Sequence, residues 1–209
     1  MRQPTPRPYH SERRRQAAEK TRERVLATAR ALFEEEGIDC VPLRRIAAAA
    51  SVAESTIYAL FKSKEGILRE LMRKAIFNAR YEVEASRLNV IDDPIDLLRL
   101  TARIARTIYE NEARELGLMR GMSLFSRELK KMEEEFEAMR FEMQRNRLQL
   151  FADRGLLPPG LSLADARHIL WMYTSREIYR MLVVESGWAP DKFESWLADT
   201  LITALHGNG

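Results

Sequence analysis

The chain has 209 residues, 45% apolar and 31% charged, with a net charge of +3. This is the balance of a globular protein of one or two domains, and no run approaches the roughly 18 apolar residues of a membrane span. The opening MRQPTPRPYHSERRRQ lacks the apolar stretch of a secretory signal. The single cysteine, Cys40, excludes an intrachain disulfide framework and fits a reducing compartment, so a cytoplasmic location is expected. His10, His168 and His206 are too scattered for a metal site, and neither a metal nor a cofactor is expected.

Taken in order, Pro4, Pro6 and Pro8 keep the first residues out of a helix, and a helical pattern begins near Ser11. Val25, Leu26, Ala29, Leu32 and Phe33 recur on one face, and Gly37 is a plausible stop after Glu34-Glu35-Glu36. VPLRRIAAAA reads as a short helix with Pro42 at its first position, SV as a break, and AESTIYALF as a second short helix. Ser63 caps a longer helix reaching the mid-80s, with Glu65 in its first turn. Asp93-Pro94 starts a helix through about Glu110, followed by stretches over roughly 112–126 and 128–153. Ser162 starts another to about Glu185, and Pro190 the last, to about Leu205. No window alternates like a strand, so the expected fold is all-α, about nine helices.

Charge is unevenly spread. Residues 1–74 hold 16 Lys+Arg against 10 Asp+Glu, and the remainder holds 18 against 21. A basic first part suggests a nucleic-acid-facing end, and the competing reading is a solvated basic arm. LRRIAAAASVAESTIYALF has the helix, tight turn, helix order of a helix-turn-helix. Small alanines let the two helices approach, and the second presents Glu54, Ser55, Thr56 and Tyr58 outward. A major groove about 12 Å wide admits one such helix.

RERVLATARALFEEEG together with LRRIAAAASVAESTIYALFKSKEGIL resembles the DNA-binding domain of TetR/AcrR-type bacterial transcriptional repressors. The matching features are Phe33-x-x-x-Gly37, Ile46-Ala47, Val52, Thr56-Ile57-Tyr58, Phe61 and Ser63-Lys64-Glu65, and they cover about residues 22–72. The resemblance implies a basic arm over 1–21, a DNA-binding domain over 22–72 and a ligand-binding and dimerisation domain over 73–209. It makes Arg44, Glu54, Ser55, Thr56, Tyr58, Ala59, Ser63 and Lys64 the DNA-binding candidates, with Tyr58 and Lys64 on phosphates. By chemistry, Glu54 suits a cytosine amine and Ala59 a thymine methyl. A half-buried aromatic, an ordinary lysine and an acid favoured by the helix dipole are the plainer accounts of Tyr58, Lys64 and Glu54. Three positions depart from the pattern: Ser51 stands where a turn glycine is usual, Val41 where a phosphate-binding Thr or Ser is usual, and Ala59-Leu60 follow Tyr58. Arg13, Arg14, Arg15, Lys20, Arg22 and Arg24 either compensate in the minor groove or form a solvated tail.

In the second part, ARHILWMYTSREIYRMLVV is apolar on nearly every side, which implies burial on nearly every side. SREIYRMLVVESGWAPDKFESWLADTLITAL looks like the dimer-forming last two helices of one subgroup of the family, with Ile178, Leu182, Trp196 and Leu201 as interface candidates. A central helix of a monomeric bundle is the alternative. Met119, Met122, Met132, Met139 and Met143 lie among Phe125, Phe136 and Phe141. Methionine lines adaptable pockets, although core packing explains any one of them. In a family that usually binds small molecules here, Met119, Met122, Phe125, Met139, Met143, Trp171, Met172, Tyr173 and Arg176 are candidates to line a cavity for an apolar ligand.

The expected function is a homodimeric repressor released from double-stranded operator DNA by a small apolar effector. A constitutive or partner-controlled regulator is the alternative. An enzyme is the remote one: no nucleophile elbow, Gly-rich phosphate loop or HExxH occurs, and no catalytic residues are assigned.

Overall fold

A computed structural model of the chain describes residues 9–88, 90–120 and 127–206, with the surroundings of the side chains given for 12–88, 90–112 and 130–206. The described residues are helical throughout their ordered elements, with no strand among them. No helix among them is long and apolar enough to cross a membrane. They form two compact units, one of residues up to Leu71 together with Leu118–Leu129, the other of Met72–Gly117 and Lys130 onward.

The first unit starts with α1 (Tyr9–Glu36), which takes in much of the basic N-terminal stretch as an exposed helical extension. Its apolar stripe of Val25, Leu26, Ala29, Leu32 and Phe33 is buried, as the periodicity predicts. Gly37, at φ 89°, ends it and donates its N–H to the Phe33 carbonyl at 3.1 Å. α2 (Leu43–Ala49) is preceded by Pro42, which is the cap residue and not the first helical one. α3 (Glu54–Phe61) follows a turn in which Ser51 adopts the left-handed conformation at φ 53°. α2 packs on α1 and α3 through Ile46, Ala47, Ala50, Ile57 and Phe61, all buried. α4 (Lys64–Ile76) begins at Ser63, whose Oγ accepts the Gly66 N–H at 3.2 Å. A Cβ at Gly66 would lie 1.9 Å from the Phe61 carbonyl oxygen, so only glycine lets the two helices meet this closely.

In the second unit the helix expected to run to the mid-80s is divided. Asn78 Oδ1 accepts the N–H groups of Arg80 and Tyr81, stopping α4 and capping α5 (Ala79–Arg87). The opposite happens in α6 (Pro94–Arg120), which runs unbroken where two stretches were expected. The polar residues near that expected break, Asn111 and Glu112, are buried inside the unit at 1% and 2% exposure. α7 (Arg127–Met143) and α8 (Arg145–Asp153) part at Gln144. α9 (Leu163–Tyr173) stops at Thr174, and Ser175 recaps the chain into α10 (Arg176–Tyr179), which continues as a π-helical turn over Arg180–Glu185. α11 (Pro190–Leu205) closes the unit. The core joins Leu97, Leu98 and Tyr109 of α6 to Leu148 and Phe151 of α8, Leu170 of α9 and Phe193, Leu197, Leu201 and Leu205 of α11.

Candidate nucleic-acid interface and ligand cleft

α3 has two faces because Ile57 and Phe61, four residues apart, are drawn into the core. Glu54, Ser55, Tyr58, Ala59 and Lys62 are left exposed together, and Thr56 is partly so. Tyr58 is 49% exposed, which is unusual for so large an aromatic and puts its ring at the surface, not in the helix junction. Arg44, on the neighbouring helix, is exposed. Arg45 is held by Glu36, with Nη2 at 3.0 Å from Oε1. Val41, where the family pattern has a hydroxyl, is fully buried and belongs to the core.

Three cations close this unit from within. Arg22 Nη1 donates to the Leu60 carbonyl at 3.3 Å, Arg24 Nε to the Ala50 carbonyl at 2.9 Å, and Lys64 Nζ to the Ile38 carbonyl at 2.8 Å. Cations at carbonyls near helix ends oppose the negative end of the dipole. Arg22 also pairs with Glu70 and lies 4.9 Å over the Phe61 ring. Lys64 therefore spends one donor on the fold, and Ser63 Oγ accepts the Gly66 N–H as a cap, which leaves its hydroxyl hydrogen to donate. Lys62 was not among the sequence candidates. It is exposed at φ 69°, just past the end of α3, where its backbone N–H still bonds the Tyr58 carbonyl. Only the tertiary packing separates the free lysine from the engaged one.

The second unit contains a cleft lined by α4–α8 together with Thr174 and Arg176, with apolar walls that include Phe77, Ile104, Ile108 and Phe136. Its envelope, open to solvent, is about 630 Å³, but the room left for a guest is about 60 Å³. Met139 and Met143, both sequence candidates, line it and are 37% and 43% exposed. Arg176 lines it too, with Nε 3.0 and 3.1 Å from the two oxygens of buried Glu112. Trp171, Met172 and Tyr173 do not line it, which corrects the expectation. The end of α9 turns Met172 outward to 47% exposure, Tyr173 packs on Trp196, and Trp171 packs on Phe141. Met122 and Phe125 lie outside the described residues, as does the side chain of Met119.

A polar knot holds the cleft's inner wall. Thr174 donates its hydroxyl to the Leu170 carbonyl at 2.6 Å and accepts from Arg140 Nη1 at 2.8 Å and Gln144 Nε2 at 2.7 Å. Tyr109 donates to the Thr174 carbonyl at 2.7 Å, and burial pushes its phenol up to about 12, so it stays a neutral donor. The break after α9 exposes these backbone groups, and the knot satisfies them.

Of the interface candidates, Ile178, Leu182 and Trp196 are partly exposed on the last helices. Leu201 is fully buried in the core of its own unit, a correction that follows from its position on the inner face of α11 with Leu197 and Leu205. Met172, Met181 and Val184 add exposed apolar surface at 47%, 42% and 64%.

Residues 25–71 match the bacterial regulatory proteins of the tetR family. No curated protein sequence matches the chain. Among solved structures, NalD from Pseudomonas aeruginosa, the secondary repressor of the MexAB-OprM multidrug efflux pump, is 25% identical, with 93% of this chain and 100% of NalD covered at a TM-score of 0.71. SmeT in complex with triclosan is 20% identical over 91% of this chain and 93% of SmeT, with a TM-score of 0.68. FadR from Bacillus subtilis in complex with stearoyl-CoA is 19% identical over 88% of this chain and 99% of FadR, with a TM-score of 0.65. The last two share the fold. Residues 25–71, which enclose α2 and α3, thus carry the DNA-binding domain of the tetR family of bacterial regulatory proteins, and the similarity of fold to TetR-family regulators extends over nearly the whole length.

Proposed function

We propose that the protein is a homodimeric repressor that leaves its operator when a small ligand enters the cleft of the second unit. The observation that carries the ligand half is the cleft itself: apolar walls, a few convergent polar groups and two flexible methionines at its lining. NalD is a secondary repressor, and the SmeT and FadR structures hold triclosan and stearoyl-CoA, which supports a ligand-responsive reading of the same fold. The exposed face of α3 enters the major groove, with Glu54, Ser55, Thr56 and Ala59 toward base edges and Arg44, Tyr58, Ser63, Lys64 and the newly recognised Lys62 toward phosphates. Ile178, Leu182 and Trp196 pair with their copies across a two-fold axis, which brings two reading helices onto an operator about one helical turn, ~34 Å, apart.

α4 is one continuous helix from Lys64 to Ile76, and Ile76 lines the cleft. A ligand that displaces this wall is felt along the rod. It shifts the equilibrium only by its differential affinity for the bound and released states, and a swing from 1:99 to 99:1 needs about 10⁴-fold. The free room of about 60 Å³ favours a second reading, in which the cleft stays closed and a protein partner, or nothing, controls the regulator.

The test begins with DNA selected by the purified protein. Ligands found by thermal shift are then titrated into the preformed complex. Release of DNA is the expected result. If several well-bound cleft ligands leave the affinity unchanged, the partner-controlled reading replaces this one. On the same operator, Tyr58→Phe and Lys62→Ala should each weaken binding across sequences and flatten its salt dependence.

A further inference from the structure

The charges lining the cleft do not balance. Arg140 is matched by Glu137, and Arg176 by Glu112. Arg147, on α8, pairs with no carboxylate among the described residues. Its one hydrogen bond runs from Nη1 to the hydroxyl of Thr101 at a long 3.3 Å. The ionisable neighbour that acts on it is the phenol of Tyr81, which burial itself keeps neutral. Withdrawal from water holds the Arg147 guanidinium below its ordinary value, the sign of a partly buried cation with no counter-charge among the described residues. Buried charges in proteins are ordinarily paired, and an arginine presents five N–H donors in a fork that suits a carboxylate.

A second unmet group lies one helical turn away. Gln144 lines the same cleft, is 4% exposed, and has no partner for Oε1. The orientation of its amide is fixed by the knot. The Thr174 hydroxyl hydrogen goes to the Leu170 carbonyl, so Thr174 Oγ1 can only accept from Gln144, and the nitrogen must face it. The carbonyl oxygen is left over.

We infer that the ligand of this cleft is an anionic amphiphile: a carboxylate ion-paired with Arg147, an apolar body against Phe77, Ile104, Phe136 and Met143, and, in the best ligands, a hydrogen-bond donor for Gln144 Oε1. This rests on the ligand reading of the cleft and narrows it from apolar compounds in general to organic acids. A neutral compound of the same shape leaves the guanidinium unpaired in a drier site, so the penalty grows on binding. The anion removes it.

The test compares para-butylbenzoate with its neutral counterpart para-butylbenzamide by calorimetric titration into the full chain. The acid should bind at least tenfold more tightly. Arg147→Gln should abolish that preference, and Arg147→Lys should retain part of it. In the absence of ligand, Arg147→Gln should melt no lower than the wild type, because the variant loses an uncompensated cation and not a salt bridge. If acid and amide bind the wild type equally well, the inference is overturned while the cleft remains a ligand site. If the amide alone binds, it is overturned with the same consequence. If neither binds, the inference fails and the ligand-induced reading loses its support with it. A wild-type preference that survives in Arg147→Gln also overturns it, since the anion then sits elsewhere.

Discussion

The two units treat buried polarity differently. In the first, Arg22, Arg24 and Lys64 turn inward to carbonyls near helix ends, and no buried side-chain polar atom lacks a partner among the described residues. In the second, Asn111 Nδ2, Gln144 Oε1 and Trp171 Nε1 are buried without one, and Arg147 lacks a counter-charge. The first unit must present one fixed face to a rigid duplex, and full satisfaction of its interior specifies that face. The second keeps unmet groups, a cleft and broken helices, which a guest can complete. Full polar satisfaction and a cleft with unmet groups are divided between the two units of a single chain.

The largest expected effect probes how little slack the first unit has. Gly66→Ala places a Cβ 1.9 Å from the Phe61 carbonyl oxygen, backbone against backbone, and should cost about 3 kcal/mol or more. Gly155→Ala in the second unit meets no atom within 4 Å and suffers only its positive φ, about 1 kcal/mol. Urea midpoints of the two variants measure the contrast, and equal losses would erase it.

Glu112→Gln comes next and sharpens the comparison from the other side. It leaves Arg176 buried without its charge partner and should cost about 3 kcal/mol by chemical denaturation. A loss below ~1 kcal/mol would mean that the second unit tolerates unpaired charge generally, and that Arg147 is not exceptional.

Ser51→Gly should stabilise by about 1 kcal/mol, because Ser51 sits at φ 53° where glycine carries no Cβ penalty. A rise in melting temperature with unchanged DNA affinity is expected. A fall in stability would show that the Ser51 side chain contributes something that compensates for its strain.

The smallest effect concerns pH. The Ser63 hydroxyl, then the backbone N–H of Glu65, hold the Glu65 carboxyl below its ordinary 4.5. A folded-state value below the unfolded one contributes stability above pH 4.5 that is lost as pH falls through the folded value. Ser63→Ala should therefore lose stability near neutrality and show a shallower further loss on acidification. Identical acid slopes in variant and wild type would remove Ser63 from the account.

Most of the first unit was legible because its signals are local. The stripe from Val25 to Phe33, the Gly37 stop and the Ile57/Phe61 face against the exposed Glu54/Tyr58 face all follow from helical period and turn chemistry. What escaped was the use of each cation: Lys62 and Lys64 look alike in sequence, and only folding brings the Ile38 carbonyl to one of them. In the second unit the sequence established helices, an apolar character and a methionine-rich stretch that does reach the cleft at Met139 and Met143. It did not reveal that α9 breaks at Thr174, because the groups that compensate for the break, Tyr109, Arg140 and Gln144, come from distant positions in the chain. Nor did it separate Leu201, facing inward, from Trp196 beside the surface, since both belong to one apolar helix. Periodicity and caps act over a turn or two and are written in the sequence. Which arginine finds an acid, and which is left for a ligand, depends on helices far apart in the chain, so the unpaired charge of Arg147 emerged only from the tertiary structure.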